Sequence, residues 1–250
     1  MVGDLSAALL GTLLVGVLML ILGGVVKGTL GVGLPLVTVP MLSLLVPAQQ
    51  AMGLLVLPVL LSNMIQSVQG GRFFYAFRRF WPLILAQLVA TLAAVYLSQY
   101  LTASGLNLAI AITVFSSVAL MVFQPRGEIS ARHQVWAGPV VGALAGGLGG
   151  LSSLTGPMLI TYLMTLRLKR EEFVGSISII YFLGAVPMYA AMLWWHRFGW
   201  SEVGWSCLAM GPVYLGMALG RRLREHLSEQ LFRRLLLSFL VLLAVMLIFK

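Results

Sequence analysis

The stretch Gly24-Val25-Val26-Lys27-Gly28-Thr29-Leu30-Gly31-Val32-Gly33-Leu34-Pro35 breaks an apolar run with four glycines and a lysine. The apolar run before it, residues 5–26, is long enough to span a hydrocarbon core of ~30 Å. The run after it, residues 34–46, is not: thirteen helical residues reach only about 20 Å at 1.5 Å each. Long, broken, short is the order of a helical hairpin whose break lies at membrane depth. Irregular backbone is tolerated there only when buried in protein or lining a water-filled cavity.

Further along, residues 134–149 are apolar, residues 150–156 form a Gly/Ser/Thr break, and residues 157–166 are short and apolar. The two breaks are related by an offset of 122. Gly16 pairs with Gly138, Gly24 with Gly146, Gly28 with Gly150, Pro35 with Pro157 and Gly53 with Gly175. Each break is followed by three long apolar runs: 51–69, 80–100 and 106–123 in the first half, then 173–195, 200–220 and 231–249 in the second. The sequence therefore predicts an all-α polytopic membrane protein made of two repeats. These are residues 1–123 and 134–250, joined by a linker at 124–133, with eight full spans and two short half-helices. Repeated halves with broken helices are a transporter's organisation.

Composition agrees. Sixty per cent of the 250 residues are apolar, 9% are charged, and the mean hydropathy is +1.00. A soluble domain carries roughly 25% charged residues, so lipid must be the solvent for most of this chain. The net charge of +9 does not point to nucleic acid, because the basic residues sit in short gaps between apolar runs and not on a basic, aromatic-interleaved face. The single cysteine, Cys207, excludes an intramolecular disulfide or a multi-cysteine metal site, and its apolar setting predicts a small buried hydrophobe. The first run follows Asp4 without a basic segment before it and reads as a retained helix, not a cleaved signal.

Orientation follows from counting. If each long–break–short unit returns to the side it entered from, three further crossings invert the second half relative to the first. Arg72, Arg78, Arg79, Arg126, Arg132, Arg167, Lys169, Arg170, Arg221, Arg222, Arg224, Arg233 and Arg234 then share one side, against Arg197 and Lys250. Without the return, the split is seven against eight. The positive-inside rule selects the inverted arrangement and puts both termini on the non-cytoplasmic side. The short helices then aim their N-termini, the positive ends of their dipoles, at a common point near the midplane.

That point predicts an anion site. Gly28, Gly31, Gly33 and Gly156 leave backbone N–H groups uncovered, while Thr29, Ser152, Ser153 and Thr155 offer hydroxyls. Close helix packing through small residues is the competing account of the glycines. Lys27 is the one cation away from the loops, either a site residue or a side chain snorkelling to the interface. Asn63 and Gln66, three residues apart, share a helix face with Ser62 and Gln69 nearby; they border the cavity or bond neighbouring helices. Tyr181 is a further candidate on the equivalent helix of the second half. Trp194, Trp195, Trp200 and Trp205 bracket Arg197 as an aromatic belt. The first break lacks the Gly-Lys-Ser/Thr ending of a phosphate-binding loop and follows no strand. His133, His196 and His226 lie at segment ends, and every Asp and Glu lies at a terminus, in a loop or, for Glu202, at the very start of a span. An intramembrane protease or a carboxylate-based proton pump needs buried acids or histidines, so the reading is not an enzyme and carries no cofactor or metal.

The run from Gly24 to Pro40 resembles the first signature of the TauE/SafE-type sulfite exporter family, and the run from Gly146 to Pro157 resembles that family's second copy. Leu34 stands where many members have another glycine, and Ser152, Ser153 and Thr155 replace parts of the second glycine run. The resemblance covers the whole chain in length, repeat and segment order. It implies a bacterial-type inner-membrane carrier of sulfite, sulfonates or related small sulfur-containing anions, with protons as a candidate coupling ion. The expected mechanism is alternating access, with the halves rocking about the midplane site. A passive anion channel of the same fold is the alternative.

Overall fold

The computed structural model describes residues 2–69, 73–123, 131–166, 168–226 and 229–249, and among these it is wholly helical. In chain order the helices are α1 (Val2–Leu30), α2 (Leu34–Leu45), α3 (Ala48–Gly53), α4 (Val56–Gln69), α5 (Phe73–Ser98), α6 (Ala103–Phe123), α7 (Ala131–Ser152), α8 (Gly156–Thr165), α9 (Arg170–Trp194), α10 (Trp200–His226) and α11 (Glu229–Ile248). Among the described residues, seven stretches are long and apolar enough to cross a bilayer; one is α3 and α4 together, Ala48–Val68. The eighth expected span corresponds to α11. It has 20 residues, but arginines near its start leave a shorter apolar stretch, Arg234–Ile248. The basic loop residues Arg72, Arg126 and Arg167, and Lys250, lie outside the described residues.

Both breaks are narrower than the sequence predicts. Helix α1 continues through Lys27, Gly28 and Thr29 to Leu30, and Gly31 N–H still donates to the Lys27 carbonyl at 2.7 Å. Only residues 31–33 leave the helix. They can because Gly31 (φ 79°) and Gly33 (φ 94°) occupy the left-handed region, which glycine enters without a Cβ clash. In the second half α7 runs on through Gly150 to Ser152, leaving residues 153–155. The offset between these two three-residue breaks is again 122. Ser153, opposite Gly31, also has positive φ, at 60°.

The two halves interlock. Helix α1 packs chiefly against α10, and α5 packs chiefly against α7. Both contacts are made backbone to backbone through glycine. A Cβ on Gly24 would run into the Val213 carbonyl and one on Gly28 into Met217; one on Gly146 would meet the Gln87 carbonyl and one on Gly150 the Thr91 carbonyl. Gly24 and Gly28 carry the offset of 122 to Gly146 and Gly150, and Gln87 and Thr91 lie 126 before Val213 and Met217. One contact is thus built twice, each time between a helix of one half and a helix of the other. Helices α4 and α9 also pack together across the two halves, as do α6 and α11.

The short helices lie inside this shell. Nine residues of α2, from Leu34 to Ser43, are buried, and Leu159 and Leu163 of α8 are fully enclosed. The outer faces are apolar: Leu10, Leu13, Leu14 and Leu18 of α1 are each about 60% exposed, as a lipid-facing helix requires. Cys207 belongs to that outer surface; it is exposed on α10, not buried as its apolar setting predicts. Trp194, Trp200 and Trp205 are exposed as well. Trp195 turns inward onto Tyr96, with ring centroids 5.6 Å apart, and Arg197 beside it donates to the Ser98 carbonyl at 2.9 Å.

Candidate anion site

The two breaks meet at one cavity. Lys27, Gly33, Pro35 and Leu36 line it from the first break, Ser153, Leu154, Thr155 and Gly156 from the second, with Val59 and Asn63 of α4 and Tyr181, Gly184, Ala185 and Met188 of α9. About 40 Å³ is open to the centre of a water molecule, which is room for roughly three or four waters or one compact anion.

Among the described residues Lys27 is the only charge in the lining, which contains no carboxylate. It is 3% exposed, so it does not snorkel. Its Nζ donates to Asn63 Oδ1 at 2.6 Å. Asn63 is buried beside it, and with its oxygen given to the lysine the amide nitrogen remains as a donor. Gln66, one turn on, donates to the Gly31 carbonyl at 3.1 Å. The polar face of α4 therefore both holds the break and reaches the cavity. Ser62 does neither: its hydroxyl donates back to the Val59 carbonyl of its own helix. The side chain of Gln69 is outside the described residues.

The second half supplies hydroxyls. Ser153 Oγ and Tyr181 Oη are buried without a hydrogen-bond partner in the structure, a costly state for groups that ordinarily find one. Ser153 Oγ lies near the Tyr189 hydroxyl, but neither atom completes a hydrogen bond. The glycine at 156 makes room for Tyr181, since a Cβ there would come to 3.0 Å of Oη. Thr155 lines the cavity, and its methyl fills the space a Cβ on Gly149 would need. Gly149 is the repeat equivalent of Lys27, so this methyl accounts for the lysine's occurring once.

Five candidate residues are not in the cavity lining: Gly31 and Gln66 shape the first break beside it, and three lie elsewhere. Gly28 is pressed against the backbone of Met217, and Thr29 Oγ1 donates to the Val25 and Gly220 carbonyls; both serve the α1–α10 contact. Ser152 Oγ donates to the Leu148 carbonyl at 2.6 Å and accepts from Leu154 N–H at 3.2 Å, which secures the turn out of α7. Sequence reasoning missed Pro35, Leu36, Val59, Leu154, Gly184, Ala185 and Met188, an apolar wall that carries no chemical signal. It also missed the phenol of Tyr189.

Electrostatically the cavity is positive. Neither α2 nor α8 has a side-chain cap, so their first-turn N–H groups and dipoles face it, together with the Lys27 ammonium. Among the described residues the lining holds no carboxylate to repel an anion.

A family model described as Sulfite exporter TauE/SafE matches residues 14–247. No curated protein and no solved structure matches the chain.

Proposed function

Because the chain belongs to the sulfite exporter TauE/SafE family, a family of multi-pass membrane transporters, we propose that it carries small sulfur-containing anions such as sulfite by alternating access around the Lys27 cavity. The observation that carries this reading is the convergence of both breaks, two uncapped helix N-termini and a buried lysine on one small cavity without a carboxylate. Such a lining replaces an anion's hydration by N–H and O–H donors and does no chemistry on it.

The moving bodies we assign are not the sequence halves 1–123 and 134–250 themselves. Glycine-mediated backbone contact joins α1 to α10 and α5 to α7, and close-packed interfaces move as units. Lys27 rides with α1 and α10, whereas Ser153 lies at the end of α7, packed on α5. The cavity lies between these bodies, and the α4–α9 and α6–α11 contacts are where sliding occurs. With the basic loops facing the cytoplasm, the inner membrane is the site of action and both termini face away from the cytoplasm.

Purified protein in proteoliposomes tests the reading. Preloaded unlabelled sulfite should drive uptake of labelled sulfite against its gradient (counterflow), as only a carrier that alternates can. Downhill flux without counterflow would make it a channel, and no flux at all would remove the transport reading.

A further inference from the structure

Lys27 poses a problem for any carrier that must also reorient empty. Its ammonium is enclosed, with one neutral acceptor, Asn63 Oδ1 at 2.6 Å. A bound anion neutralises it. Without one, a buried cation has no counter-charge, and burying a charge unpaired is among the most costly states a protein can adopt. The surroundings offer no substitute. Helices α2 and α4 contain no titratable group. Helix α10 presents the stretch from Val213 to Gly220 along α1, in which the Tyr214 phenol is the one titratable group, and its nearest cations, the exposed Arg221 and Arg222, follow that stretch. From α9 come the phenols of Tyr181 and Tyr189; its acids, Glu171 and Glu172, open that helix nine or more residues before Tyr181. The second break adds the hydroxyls of Ser153 and Thr155.

Taking the transport reading as given, we infer that Lys27 is the proton carrier of the cycle: it binds the anion as an ammonium and releases a proton together with it. On release the N–H bond breaks, both electrons stay on nitrogen, and the proton leaves to the water on the side where the anion leaves. The neutral amine, still hydrogen-bonded to Asn63, returns through the apolar interior and takes a proton from the opposite side before the next anion binds. One proton thus travels with each anion in the same direction, and nothing is oxidised or reduced. Lysine suits this role because its amine can exist neutral inside a protein, whereas arginine stays charged.

The test uses proteoliposomes containing a pH-sensitive dye, with methanesulfonate as the probe alongside sulfite. Methanesulfonate is a strong acid's anion, so any proton that moves with it has been carried by the protein. The wild type should catalyse both exchange and net flux of the probe, with one proton moving per anion in net flux and none in exchange. Lys27→Arg, unable to return empty, should lose net flux at least tenfold more than it loses exchange. Net wild-type flux without proton movement would overturn the inference, and needs no variant to be folded. So would net flux in Lys27→Arg equal to that of the wild type. If the wild type exchanges neither methanesulfonate nor sulfite, the transport reading falls and this inference with it.

Discussion

At Gly33 the backbone, not the space around it, demands glycine. A Cβ there would lie 3.5 Å from Val26, an ordinary contact, but φ is 94°. A β-branched residue in that region is a genuine outlier, and the left-handed conformation costs an L-residue roughly 1–2 kcal/mol. Gly33→Val should therefore turn the first residues of α2 away from the cavity and weaken sulfite binding more than any single hydroxyl removal. Ser153→Ala removes one donor. A hydrogen bond to a charged group contributes about 1.5–3 kcal/mol, so affinity should fall roughly ten- to a hundredfold. Both are measured by calorimetric titration of purified variants whose melting temperatures show them folded. If both bind sulfite like the parent, the breaks do not form the site. The glycines and hydroxyls of the breaks were legible in the sequence. The pairing of Lys27 with Asn63 was not, because 36 residues separate them and no local pattern encodes which faces meet.

Among the elements, the long and short helices and the twofold recurrence were legible from hydropathy and glycine spacing. The width of the breaks was not: a glycine adjoining a break is as compatible with helix as with loop, and packing decides. Gly28 and Gly150 were read as parts of the breaks, yet each lets its helix touch a carbonyl of the facing helix. The hydropathy of α1 and α10 gives no indication that they pair, since a lipid-facing and a helix-facing stripe are equally apolar. Gly146→Val tests the contact. Its side chain would collide with the Gln87 carbonyl, which is backbone and cannot rotate away. Overpacking of this kind costs about 1–3 kcal/mol, so the melting temperature in detergent should drop well below the parent's. Gly147→Val, where a Cβ meets nothing within 4 Å, should leave it nearly unchanged. Equal effects of the two substitutions would mean the α5–α7 contact is not made through these glycines.

In the arrangement proposed here the whole molecule has its basic segments on one side and its cavity between two interlocked bodies. Labelling of single cysteines, in a background where the exposed Cys207 is replaced, should reach residues 72–79 and 221–234 from the cytoplasm and both termini from outside. Termini found on opposite sides would remove the inverted repeat. The single measurement that bears most directly on the account is the sulfite affinity of Lys27→Met against that of the wild type, by titration of folded protein. Lys27 is the only charge in the cavity lining among the described residues, and losing one partner of a buried ion pair costs about 3–5 kcal/mol. Affinity should therefore fall more than about a hundredfold, while the variant, freed of a buried ionisable group, melts no lower than the parent without ligand. A Lys27→Met protein that binds sulfite as tightly as the wild type would contradict the account.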